Sequence, residues 1–136
     1  TWSRYWPSVS SIHLGNSRGV WVYFPPTYAE NSRARFPVVY MHDGQNLFDS
    51  TKSFAGEWRV DETLERIAGE GVRVVVVAIP NMGPERGNEY TPFVDARGTG
   101  GGGDAYLDFI VHVFSEKSRE FYKVERLWSD GKIVEL

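Results

Sequence analysis

The chain has no cysteine among its 136 residues, which removes disulfides, thiolate metal sites and a cysteine nucleophile at once. The redox compartment is left open. Histidine is scarce, with only His13, His42 and His112. They are scattered, and no metal pair is read from them. No basic run occurs and the net charge is −3, which argues against nucleic acid and anionic membrane as partners. The longest apolar run, Val74 to Pro80, is far too short to span a bilayer. The chain begins at Thr1 with no signal-peptide pattern, so it is expected to be soluble, a processed or excised fragment.

What is present is a globular composition: 41% hydrophobic residues, with five Trp, seven Tyr and eight Phe, in a length that suits one domain at most. Residues 1–11 show no clean period. Gly19 to Phe24 reads as a strand stopped by Pro25-Pro26. Pro37 to Met41 reads as a buried strand running into the turn His42-Asp43-Gly44-Gln45, the place where an open α/β sheet binds its ligand. Val60, Leu64, Ile67 and Ala68 fall at helical spacing, and Gly69 and Gly71 stop that helix. Val72 to Ile79 is a near-continuous Val/Ile run, as in the middle of a parallel sheet. Residues 81–103 read as a long loop without period. Asp104 caps a last helix whose Leu107, Ile110, Val111 and Phe114 form a core stripe.

This order is an α/β pattern. From Ser115 the chain changes character. Ser129-Asp130-Gly131 is a hairpin signal, pairing Leu127–Trp128 with Lys132–Leu136. The domain reading is therefore residues 1–114 as one body and 115–136 as a separate tail.

Two glycine motifs are tested by their mechanics. Gly15-Asn16-Ser17-Arg18-Gly19 matches Gly-x-Ser-x-Gly, but a nucleophile elbow needs a strand before the serine and a helix after it. Here a strand follows, so a turn between two strands is the better reading and Ser17 is not taken as a nucleophile. Gly98 to Gly103 contains Gly-x-Gly-x-x-Gly, but no strand precedes it and a helix lies beyond. It reads as a flexible loop that lets backbone approach closely. His42 and Asp43 are sequence neighbours pointing to opposite sides of an extended chain, which separates a base from its orienter.

The ordered set Val22 to Tyr28, Phe36 to Phe48, Trp58 to Asp61, Val75 to Asn81, Arg86 to Pro92 and Gly101 to Ile110 resembles the Putative esterase family of α/β hydrolases, the group of enterochelin esterase, esterase D and feruloyl esterase domains. The resemblance implies a three-layer α/β/α fold with a mostly parallel sheet, of which residues 1–114 are the amino-terminal portion. It implies a cofactor-free serine hydrolase acting on small-molecule carboxylic esters. The family's later nucleophile turn and catalytic His have no counterpart after Asp104, and no His follows His112. The tail reads as frameshifted, chimeric or an artefact of gene calling. A chain of this kind is an esterase by resemblance and inactive by itself; the alternative is a non-catalytic binding module that keeps one pocket wall.

Within the resemblance, Gly44 and Gln45 supply backbone N–H groups on the oxyanion side, with Asp43 beside them. The same residues also read as a well-formed turn and nothing more. Arg86, Glu89 and Tyr90 line or brace the substrate site, or else Arg86 and Glu89 pair to order their loop. A sheet cut after Val72–Ile79 leaves that strand with an open edge, so self-association is expected unless the tail hairpin covers it.

Overall fold

The computed structural model describes residues 2–30, 33–114 and 134–135. Strands β1 (Trp2–Ser11), β2 (Asn16–Tyr23), β3 (Val38–His42), β4 (Val75–Ile79) and β5 (Val134–Glu135) are joined by helices α1 (Val60–Ala68), α2 (Arg86–Glu89) and α3 (Gly103–Phe114). The five strands form one sheet in the order β3-β4-β2-β1-β5. The residues fall into two compact units. One is built on residues 19–81 with the start of β1 and with β5; the other, among the described residues, on 9–18 and 82–114.

In the first unit β4 lies parallel to β3, with Val39 opposite Val76 and His42 opposite Ile79. On its other side it runs antiparallel to β2, with Trp21 opposite Ala78. β5 is antiparallel to β1. The sheet is therefore mixed, and the expected mostly parallel sheet is corrected. β3 and β4 are linked by a helical crossover, which makes them parallel, whereas β2 belongs to an amino-terminal hairpin and enters the sheet in the opposite sense.

All five residues of β4 are buried, as a Val/Ile run predicts for a strand covered on both faces. It is paired on both sides, so the expected open edge at Val72–Ile79 is also corrected. The edge strands among the described residues are β3 and β5. β3, expected to be buried, is not: Val39 is 41% and Tyr40 37% exposed. β4 starts at Val75, three residues after the expected Val72, which is exposed and precedes the strand.

Tyr23, Leu47, Phe48, Val76 and Ala78 form the core of this unit, with Val60 and Leu64 of α1 packed against them. Gly19 lies under the ring of Tyr5: a Cβ there would sit 2.0 Å from the Tyr5 hydroxyl oxygen. The missing side chain lets Tyr5 lie beside Trp21, ring centroids 4.6 Å apart.

In the second unit a tight turn closes β1 onto β2, the Gly15 amide donating to the Ser11 carbonyl at 2.9 Å. Ser17 is thus on a strand, exposed, its hydroxyl 2.9 Å from that of Ser10. The segment read as structureless contains a 3₁₀ turn at Gly83–Glu85 and α2. The glycine loop is ordered rather than flexible. The Gly102 amide donates to the Asn88 carbonyl and the Gly101 amide to that of Thr91. A Cβ at Gly100 would lie 2.2 Å from the Phe93 carbonyl oxygen, so close backbone approach is the reason for glycine there.

α3 starts one residue before Asp104, which lies in its first turn and not at the cap. Its buried face is Tyr106 and Phe109, while Leu107 (58%) and Val111 (67%) are exposed. The expected core stripe is thus displaced around the helix, because the aromatic pair fills the space beside Arg18. Phe114's side chain, the side chain of His112 and the proposed Leu127–Leu136 hairpin lie outside the described side chains; of that hairpin only the β5 backbone is described.

Candidate functional site

The turn after β3 is built around a left-handed residue. Asp43 has φ 54°, an αL conformation that Asp tolerates better than most side chains. The Asn46 amide donates to the Asp43 carbonyl at 2.9 Å, closing a 3₁₀ turn over Gly44–Asn46. That turn uses the amides of Asn46 and Leu47. Those of Gly44 and Gln45, at its amino-terminal end, stand outside its hydrogen bonding. Gly44 is obligatory for steric reasons, since a Cβ would lie 2.6 Å from the carbonyl carbon of Ala78 and the nitrogen of Ile79. The turn therefore rests directly on the backbone of β4.

Asn81, just past β4, locks it there. Its side-chain amide donates to Asp43 Oδ1 at 2.7 Å, and its backbone amide donates to Gln45 Oε1 at 3.2 Å. Asn46 extends the frame by accepting from the Phe54 amide at 3.0 Å. A depression of about 40 Å³ lies alongside, lined by Trp21, Gly44, Gln45, Phe48, Asp49 and Lys52. Two hydrogen bonds from Thr51, assisted by Lys52, hold the Asp49 carboxyl below the usual carboxylate range. The Lys52 ammonium sits 4.3 Å from the Trp21 ring centroid.

The second unit treats its expected site residues differently. Glu89 is buried and pairs not with Arg86 but with Arg18: Nη2 to Oε1 at 2.6 Å and Nη1 to Oε2 at 2.9 Å. The expected intraloop Arg86–Glu89 pair is corrected. Arg86 instead lies over Tyr90, 4.8 Å from its ring centroid. Tyr90 in turn meets Tyr106 at 5.2 Å. Burial pushes the Tyr106 hydroxyl far above its ordinary range, so it is neutral at any physiological pH. The Arg18 guanidinium also faces the rings of Tyr106 and Phe109 at 5.6 and 5.2 Å.

Arg18 is the functional candidate that sequence reasoning missed. It shares an inward face with Val20 and Val22 at period two, and a charge on such a face announces a buried partner.

Asp43, Gly44 and Gln45 are thus gathered with Asn81 in the first unit; Arg86, Glu89 and Tyr90 are gathered with Arg18 in the second. His42 is exposed at the end of β3, as is His13 in the first turn. Glu57, Asp61 and Glu62 bring ligand atoms within 4.8 Å of one another at the start of α1. The helix macrodipole accounts for carboxylates in that first turn.

Set beside known proteins, residues 11–114 match the family described as Putative esterase. The chain belongs to that family. Residues 104–136 match a second family, ribosomal silencing factor during starvation, over about a quarter of the chain. No curated protein matches. Among solved structures, the chain is similar to an IroE-like serine hydrolase from Shewanella oneidensis, with 23% identity, a TM-score of 0.62, and coverage of 90% of this chain and 38% of that one. It is similar to the BES protein from Bacillus cereus, with 19% identity, a TM-score of 0.56, and coverage of 89% and 45%. It is also similar to the siderophore hydrolase EstB from Aspergillus nidulans, with 20% identity, a TM-score of 0.51, and coverage of 89% and 43%. At these identities the likeness is one of fold. The chain spans less than half the length of each of these structures. Among the described residues no helix is long and apolar enough to cross a membrane.

Proposed function

We propose that this chain carries the oxyanion side of a serine-type carboxylic ester hydrolase, as the amino-terminal portion of a three-layer α/β/α domain. The observation that supports this most is Gly44, pressed onto the β4 backbone just after the left-handed Asp43, inside the family match. Acyl transfer needs N–H donors fixed before charge develops on the carbonyl oxygen. The Gly44 and Gln45 amides are fixed in this way by Asn81, Asp43 and the β4 backbone. Asp43 braces that turn; in the other unit Glu89 braces Arg18 and Arg86 stacks on Tyr90. The reaction this reading describes requires no metal or cofactor.

The chain alone lacks the rest of the machinery. Ser17 stands on a strand with no helix behind it, and a depression of about 40 Å³ is small beside ligand pockets of roughly 300–1,000 Å³. These two observations favour a second reading, a pocket wall that binds without turnover. Self-association through the half-exposed β3 edge belongs to the same proposal; size-exclusion chromatography giving a clean monomer counts against it.

The test of the oxyanion reading is a titration of the ¹⁵N-labelled chain with a methylphosphonate monoester, an anion of tetrahedral shape. The Gly44 and Gln45 amide signals shift while that of Gly69 stays in place. Amide signals at 44 and 45 that ignore the anion overturn the assignment.

A further inference from the structure

The depression beside the Gly44 turn has apolar walls in Trp21 and Phe48, and most of its polar lining is spent internally. Asp49 accepts from the Thr51 amide and hydroxyl at 2.8 and 2.6 Å and pairs with Lys52 at 3.2 Å, while Lys52 faces the Trp21 ring. Gln45 is different. Its Oε1 accepts from the Asn81 amide at 3.2 Å. An N–H demands the oxygen, so this bond fixes which way the planar carboxamide is turned and leaves Nε2, with two N–H groups, on the far side of it. Among the described residues that Nε2 has no acceptor, and Gln45 is half-buried where it lines the depression.

We propose that the Gln45 side-chain amide is a substrate-binding group that selects a short acyl group carrying an acceptor oxygen beside its carbonyl, as in esters of small 2-hydroxy acids. This inference rests on the ester reading, in which the Gln45 backbone amide holds the carbonyl oxygen. A second donor borne by the same residue then reaches an oxygen adjacent to that carbonyl. Volume sets the length. A space of about 40 Å³ holds roughly three water-sized spheres of about 10–15 Å³ each, enough for a hydroxyacetyl group and too little for an aromatic acyl group. Asn81 is the positioning residue, since its backbone amide decides where Nε2 points.

The test compares two phosphonate monoesters of equal size, ethyl hydroxymethylphosphonate and ethyl ethylphosphonate. Both are tetrahedral anions, and they differ only in a terminal hydroxyl against a methyl. Each is titrated into the ¹⁵N-labelled full chain. The hydroxymethyl compound binds about 2–12-fold more tightly, the range that one net hydrogen bond supplies, and it alone shifts the Gln45 side-chain amide pair. In Gln45→Met, whose side chain has similar length and no donor, the two compounds bind equally. A side-chain pair that stays still, or equal affinities for the unsubstituted chain, while the backbone amides of Gly44 and Gln45 shift, overturns this inference and leaves the ester reading standing. A preference that survives in Gln45→Met overturns it too. Backbone amides at 44 and 45 that ignore both compounds overturn the ester reading and this inference with it.

Discussion

Replacing Glu89 with Gln leaves a guanidinium buried without its counter-charge. Arg18 and Glu89 have side-chain exposures of 1% and 5%, and two hydrogen bonds of 2.6 and 2.9 Å join them in a bidentate pair. Breaking such a pair from one side costs about 3–5 kcal/mol, because the remaining charge has no water to return to. The rings of Tyr106 and Phe109 compensate part of this, at about 0.5–2 kcal/mol for a cation over an aromatic face. The expected loss for Glu89→Gln is therefore about 3 kcal/mol, a shift of roughly 1–3 M in the urea midpoint for slopes of about 1–3 kcal/mol/M. Glu70→Gln is the control. Its partner Arg66 lies at 3.6 Å with both side chains about two-thirds exposed, and such pairs are worth about 0.5 kcal/mol or less. The double change Arg18→Met with Glu89→Leu recovers most of the loss, since well-packed apolar replacements remove both desolvation costs. Urea unfolding of the four chains, followed by tryptophan fluorescence, decides the matter. A Glu89→Gln midpoint no lower than that of Glu70→Gln, or a double variant less stable than the single, refutes the reasoning.

Gly44→Ala forces a methyl into the β4 backbone and costs about 1–3 kcal/mol, while Gly69→Ala, at an αR position with its nearest atom at 3.4 Å, is neutral or stabilising by about 0.4–1 kcal/mol; thermal melts compare them. Burial pushes the Tyr23 hydroxyl up to about 12, with Glu65 and Asp61 adding to the effect. The folded state thus holds this proton after the unfolded chain, ordinary value 10, has lost it, so stability falls as pH rises from about 10 to 12. Tyr23→Phe flattens that slope in melts taken across the range. At neutral pH it is neutral or stabilising, because the buried hydroxyl has no hydrogen-bond partner among the described residues. Finally, the chain shows no turnover of short-chain p-nitrophenyl esters above a Ser17→Ala control; fluorophosphonate labelling of Ser17 that the Ala variant abolishes reverses this.

The parts of the fold that were legible are those decided by local pattern. The Val/Ile run marked β4, the spacing of Val60, Leu64 and Ile67 marked α1, and Pro37 with the Asp43-Gly44 turn bracketed β3. What was illegible depends on partners distant in sequence. Burial of β3 could not be read from Val38 to Met41, because being an edge strand is a property of the sheet and not of the strand. β1 was legible only through the turn that follows it, because Trp2 to Ser11 mixes aromatic and Ser residues without alternation. The direction of β2 follows from its hairpin, which no single strand reveals. The tight turn at Gly44 was legible from its turn chemistry. The partner of Glu89 was not, since Arg86 is three residues away and Arg18 is 71. The α3 stripe failed for the opposite reason: its period was right, but the helix turned its two buried aromatics inward.

β2 and β4 have a temporal consequence. Trp21 is registered against Ala78, so 57 residues must be added after Trp21 before its partner exists. At about 5–20 residues per second, synthesis leaves the newly made β2 waiting roughly 3–11 s. During that interval Val20 and Val22, both buried in the finished sheet, have no β4 to pack beside. The hairpin with β1 can close at once, but the sheet cannot nucleate until the Val75–Ile79 run leaves the ribosome. The nascent chain is therefore most prone to off-pathway association before β4 appears, and codon speed between residues 24 and 75 sets how long that hazard lasts.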